Sequence, residues 1–248
     1  MLHHAWFGDT SGTAAPVVLL HEGLGSVSSW GAFPQLLADR LQRPVLVYDR
    51  RGYGKSPAHP GPWPADFMHQ EARLLADFLT AEGLTDVILF GHSDGASISL
   101  LYAAVNQDRT VPRIAAIISA SAHTFLEDVS VAAIQRLRAG FDDGLRKPLS
   151  RHHQDVDATF SAWSGVWVSD RFSTWAIDDE LGAIDCPVLA IQGSIDSYGS
   201  WAQVDRLVAG VGSEVEVLKL DDVDHWPHRE ATEEVLSAVA EFLAASDG

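Results

Sequence analysis

Cysteine is nearly absent from this chain of 248 residues, with Cys186 standing alone. An intrachain disulfide and any multi-cysteine metal site are thereby excluded. Basic residues are scarce as well: 17 Lys and Arg face 34 Asp and Glu, for a formal net charge of −17. Such a chain repels phosphate backbones and anionic lipid, so neither nucleic acid nor a membrane is an expected partner. No apolar run approaches the roughly 18 residues of a membrane span. The opening MLHHAWFGDT also lacks the basic region and long apolar segment of a secretory signal, and the expected location is cytoplasmic. The pairs His3-His4 and His152-His153 have no acidic or cysteine neighbours at ligand spacing, so no metal is expected and both pairs read as surface residues.

What the chain does contain is a regular alternation of short apolar runs with helical patterns. Residues 2–7, 17–20, 45–48, 87–90, 114–119, 188–192 and 215–218 read as strands, while 30–41, 67–79 and 96–104 carry helical spacing. This order implies right-handed crossovers and a mostly parallel sheet covered on both faces. The alternation breaks over 121–185, where helical patterns at 131–137 and 158–167 accompany Phe125, Phe141, Phe160, Trp163, Trp167, Phe172 and Trp175. The expected organisation is one α/β core, 1–120 with 186–248, and an insertion at 121–185 over the carboxyl edge of the sheet. Residues 59–64, with three prolines, read as a rigid loop.

The core is arranged around Gly91-His92-Ser93-Asp94-Gly95, which joins an apolar strand to a small-residue helix. A turn this sharp strains its central residue and leaves no room for side chains at the flanking glycines. Ser93 thus sits at the carboxyl end of a strand, beside a helix N-terminus that favours negative charge. Asp196 and His225 follow two later strands, and ligands of open parallel sheets bind at that edge. A serine hydroxyl needs an imidazole to take its proton, and the imidazole needs a carboxylate to fix its tautomer. The turn Asp49-Arg50-Arg51-Gly52-Tyr53-Gly54-Lys55-Ser56 is not a phosphate loop, because its glycine spacing is wrong, and no cofactor is expected. Asp49 and Arg51 are read as a framework ion pair, His92 and His21 as structural.

Together, Leu19-Leu20-His21-Glu22-Gly23, the turn 49–56, the Gly91–Gly95 stretch and His225-Trp226-Pro227-His228-Arg229-Glu230 resemble the motifs of the α/β-hydrolase fold superfamily, in the same order. The resemblance implies an α/β-hydrolase fold whose insertion is a helical cap. It also implies Ser93 as nucleophile, His225 as base and Asp196 as orienting acid. Oxyanion N–H groups would come from Asp94 and from Gly23, with Leu24 as the alternative because Glu22 replaces the family's glycine. His225 is preferred to His228, which Pro227 carries into a final helix.

The function expected is hydrolysis of a small-molecule carboxylic ester through an acyl-enzyme, in a pocket walled by Trp163, Trp167, Trp175 and Trp226, with Trp201 nearby. A carbon–carbon bond hydrolase is the alternative; it requires an arginine for the substrate carboxylate, from Arg136, Arg138, Arg146, Arg151 or Arg171. A cofactor-free dioxygenase and a binding protein without turnover are further alternatives on the same fold.

Overall fold

A computed structural model describes residues 1–59, 61–106 and 111–246. Seven strands form one sheet: β1 (His4–Phe7), β2 (Val17–Leu20), β3 (Val45–Tyr48), β4 (Asp86–His92), β5 (Arg113–Ala120), β6 (Val188–Gly193) and β7 (Val215–Leu220). Their spatial order is β1-β3-β2-β4-β5-β6-β7, parallel throughout except that β1 runs antiparallel to β3. The helices are α1 (Phe33–Leu41), α2 (Phe67–Ala81), α3 (Asp94–Val105), α4 (Asp128–Ala139), α5 (Arg146–Leu149), α6 (Val156–Trp167), α7 (Asp178–Leu181), α8 (Ala202–Gly210), α9 (Pro227–Glu230) and α10 (Thr232–Ser246).

The apolar runs are continuous because both faces of the sheet are covered. Val18, Leu20 and Leu46 pack with residues of α2 and α3 on one face, whereas Val17, Leu19, Val45 and Val47 pack with residues of α1 and α10 on the other. Strand periodicity therefore splits each run between two cores. The predicted helix over 30–41 divides in the structure. Val27–Trp30 forms a 3-10 turn closed by a reciprocal Ser26–Ser29 capping box, and the α-helix starts only at Phe33. The predicted rigid loop at 59–64 includes Pro60, which lies outside the described residues.

Between β5 and β6 the sheet alternation gives way to α4, α5, α6 and α7, with a π-helical turn at Phe141–Leu145. Aromatic side chains bind this segment to itself: Phe172 stacks on Trp175 at 5.1 Å and Phe141 on Phe160 at 3.9 Å. Among the described residues no helix is long and apolar enough to cross a membrane.

Candidate active site

At the end of β4 the chain turns through Ser93, whose φ of 54° is rare for a residue with a side chain. The flanking glycines explain how the turn is possible. A Cβ at Gly91 would overlap the Gly95 carbonyl and Ala96, and one at Gly95 would overlap the carbonyls of Leu20 and His21. The second contact seats the N-terminus of α3 against the end of β2, which brings Asp94 and Gly23 to a common cavity with Ser93.

Asp196 and His225 meet by a similar device. A Cβ at Gly193 would strike the carbonyls of Val223 and Asp224, so the loops after β6 and β7 close on each other. Ser194 N–H donates to Leu220 O at 2.8 Å and Ile195 N–H to Val223 O at 3.1 Å. His225 Nδ1 then stands 2.9 Å from both Asp196 oxygens. Asp196 also accepts from Gln192 Nε2 at 2.8 Å and from the backbone N–H of Tyr198 at 2.8 Å. Burial alone would raise its carboxyl, but the His225 hydrogen bond and charge and the Tyr198 N–H bring it down to about 2. Asp196 is therefore an anion that fixes the proton on His225 Nδ1 and leaves Nε2 without that proton. Asp224, in the acidic run before His225, accepts the Ser197 N–H at 2.7 Å and braces the same pair of loops.

His92 is fully buried, and its Nε2 donates to the His225 carbonyl at 2.7 Å, tying β4 to the histidine loop. His228, in the first turn of α9, is buried among Trp30, Phe33 and His92, with no hydrogen-bond partner for either ring nitrogen among the described residues. Of the two C-terminal histidines it is His225 that lines the cavity with Ser93.

That cavity has a volume of about 340 Å³. Trp163, Trp167 and Trp226 are among the residues that line it. Trp175 does not: it stacks on Phe172 in the layer behind Trp167, because an aromatic-rich segment must also fill its own core. Trp201 lies away from the cavity, with Lys219 Nζ 5.2 Å from its ring. Tyr198 and Leu24 line it too, and a further aliphatic stretch comes from Ile134 and Leu137 of α4 and from Leu145, Pro148 and Leu149 around α5. The residues of that stretch were not singled out in the sequence, where leucine at helical spacing signals only an inner face. His123 was missed too; it lines the cavity 5.9 Å from the His225 ring, and burial pushes it down to about 4, so it is neutral near pH 7.

Several structural expectations need correction. Asp49 does not pair with Arg51: it is buried and receives Val27 N–H at 2.6 Å and Lys55 N–H at 2.8 Å, with His3 Nδ1 2.9 Å away. Among the described residues the fully buried arginine is its neighbour Arg50. His153 is not a surface residue either; it accepts Gly54 N–H at 3.0 Å and donates to Leu24 O at 2.9 Å. His152 binds Ser28 Oγ at 2.8 Å, and His4 lies 3.4 Å from Glu82. Of the arginines considered for a substrate carboxylate, Arg146 is paired with Asp142 and Asp157 and Arg138 donates to Ser164 Oγ. Among the described residues lining the cavity the arginine is instead Arg229, which donates to Ser29 O at 2.9 Å and lies 3.7 Å from Glu22.

The alpha/beta hydrolase family profile matches residues 17–238. An esterase of Escherichia coli K12 is 26% identical over 92% of this chain and 93% of its own length. A proline iminopeptidase of Levilactobacillus brevis is 36% identical over 43% of this chain and 36% of its own. The chain spans about a third of the length of the first curated relatives it matches, 34% and 36%. Among solved structures, the enol-lactonase of Burkholderia xenovorans LB400 superposes with a TM-score of 0.74 at 22% identity, covering 98% of this chain and 96% of that one. At that identity the likeness concerns the fold.

Proposed function

The chain belongs to the alpha/beta hydrolase family, and from that premise we propose that it is a serine hydrolase cleaving carboxylic esters of short or medium acyl length through Ser93, His225 and Asp196. The observation that carries this reading is the held His225–Asp196 pair together with a serine in a strained elbow, with Ser93 and His225 lining one cavity. Ser93 Oγ attacks the ester carbonyl carbon while its proton passes to His225 Nε2. The carbonyl π pair becomes an oxyanion facing the N–H groups of Gly23 and Asp94. Collapse breaks the bond to the alcohol, which leaves with the proton from His225. Water then attacks the acyl-enzyme with His225 as base, releasing the acid and restoring Ser93.

The wall of Ile134, Leu137, Leu145 and Leu149 suits a flexible apolar acyl chain, and a cavity of about 340 Å³ limits its length. The carbon–carbon hydrolase reading needs an unengaged arginine for the substrate carboxylate, whereas Arg229 already faces the Glu22 carboxylate. No separate observation favours the dioxygenase or binding-protein readings. The test is turnover of p-nitrophenyl acetate, butyrate, octanoate and palmitate. A maximum at butyrate or octanoate is expected, and Ser93→Ala should lose several orders of magnitude in kcat with its fold intact. Wild-type turnover by Ser93→Ala would sink the proposal.

A further inference from the structure

Arg50 is an unusual place to keep a charge, since its side chain is 0% exposed. A guanidinium out of water is costly unless its charge is used, and with Nε and Nη1 lacking a hydrogen-bond partner among the described residues, its contacts run through Nη2 and the face of the group. Its Nη2 donates to the Glu22 carbonyl at 2.9 Å and lies 3.8 Å from Asp94 Oδ2, while its Cζ stands 4.5 Å from the Tyr53 ring centroid. One side chain thus reaches both the loop after β2 and the first residue of α3.

The backbone of Arg50 acts on the same carbonyl by a second route. Its N–H donates to His21 Nε2 at 3.1 Å. Burial pushes His21 well below the usual histidine range, so the ring is neutral; with Nε2 accepting, its one proton is on Nδ1. Nδ1 in turn donates to Glu22 O at 2.7 Å. The Gly25 N–H reaches that oxygen as well, at 3.1 Å.

Glu22 O belongs to the peptide unit whose N–H is that of Gly23. In a trans peptide the C=O and N–H point in opposite directions, so fixing the oxygen aims the hydrogen. Donors on the oxygen also polarise the N–H and strengthen it toward an anion. A side chain cannot be added at Gly23, because a Cβ there would overlap the Trp163 indole.

We infer that Arg50 is a positioning residue for the oxyanion hole, holding the Gly23 peptide through the Glu22 carbonyl and Asp94 through its carboxylate, and selecting the Gly23 N–H over that of Leu24. The inference rests on the reading of Ser93 as nucleophile. It assigns the buried guanidinium a part in stabilising the tetrahedral oxyanion without touching it.

The experiment compares wild type, Ser93→Ala and Arg50→Lys, the last retaining charge but not the planar fork. Turnover of p-nitrophenyl butyrate is normalised to sites titrated with an organophosphate. Inhibition is measured with an alkyl trifluoromethyl ketone, whose carbonyl carbon is attacked by Ser93 Oγ to leave a bound oxyanion. Arg50→Lys is expected to lose about ten- to a hundredfold in kcat per titrated site, less than removal of an oxyanion donor itself, with KM within about twofold. Affinity for the ketone should fall by the same factor. A purely structural role would lower the titratable fraction or the Tm and leave kcat per site unchanged, which overturns the inference. An active Ser93→Ala would instead remove the underlying reading. Should Arg50→Lys not fold, the wild-type protein decides: on adding the ketone, the Gly23 amide proton should move downfield in the NMR spectrum, and movement of the Leu24 proton with Gly23 unmoved overturns the assignment.

Discussion

Two histidines three positions apart have opposite environments. His225 has an anionic acceptor on Nδ1 and faces the cavity; His228 is buried with neither nitrogen partnered among the described residues, and burial pushes it well below the usual histidine range. His225→Ala is therefore expected to lower kcat for p-nitrophenyl butyrate by several orders of magnitude with little change in Tm. His228→Ala should act in the other direction, lowering Tm through a cavity against Trp30 and Phe33 while kcat per folded site stays within about tenfold. A catalytically dead, fully stable His228→Ala would reverse the assignment. Both measurements need only purified protein and one ester.

At the scale of elements, α4 and the turn leading into α5 decide how long an acyl group the cavity accepts. Ile134 is 2% exposed and Leu137 half-buried on the inner side of α4, both at the cavity wall, while Gln135 and Arg136 are exposed. An indole at position 137 fills space that an acyl chain would otherwise use. Leu137→Trp should shift the preferred p-nitrophenyl ester toward acetate, lowering kcat/KM for octanoate by about tenfold or more relative to acetate. An unchanged chain-length profile would mean that the acyl group lies elsewhere. The same elements show where periodicity was informative: a helix over 131–137 was legible, but helical spacing says nothing about whether its apolar face meets a neighbouring helix or a cavity.

For the molecule as a whole, buried titratable groups of both kinds set how stability depends on pH. Asp196 is held down to about 2 from an ordinary 3.8, so its contribution is complete above about pH 4 and is lost as pH falls toward 2. Glu71 behaves oppositely. Burial pushes it up to about 7, with Arg50 and Arg51 limiting the rise, so the fold favours its neutral form and loses that contribution as pH rises from 4.5 to 7. The buried neutral histidines act against this: His21, His123 and His228 are all held below the ordinary 6.5, so the unfolded chain takes up protons first and stability falls as pH drops through that value, which sets the expected optimum near neutrality, while at higher pH the net charge of −17 adds self-repulsion. Relative to wild type, Glu71→Gln is expected to gain stability progressively as pH rises from 4.5 to 7, reaching on the order of 1–3 kcal/mol at pH 8. Added salt should raise Tm further at pH 8 in both proteins. Denaturant midpoints across pH settle it; equal pH slopes for variant and wild type would place the titration elsewhere.

The order of the strands, the helices up to the elbow, the turn at Ser93 and the candidate residues at strand ends were legible in the amino-acid sequence, whereas α5, α7 and α8 were not. Each legible feature depends on local chemistry: unbroken apolar runs, helical spacing, and glycines on both sides of a serine. What the sequence left open depends on contacts between distant segments. That Arg50 and not Arg51 is the buried guanidinium follows from which side of the turn faces α3 and the loop after β2. That His153 is interior follows from Gly54 and Leu24, about a hundred residues or more earlier in the chain, supplying its partners. Tryptophan composition could not separate Trp163 and Trp167 at the cavity from Trp175 behind them, because all three are apolar and only packing assigns one ring to a core and another to a wall. Local pattern determined which elements form; tertiary structure decided which side chains share a space, since burial and hydrogen-bond partners belong to the assembled sheet rather than to any one segment of it.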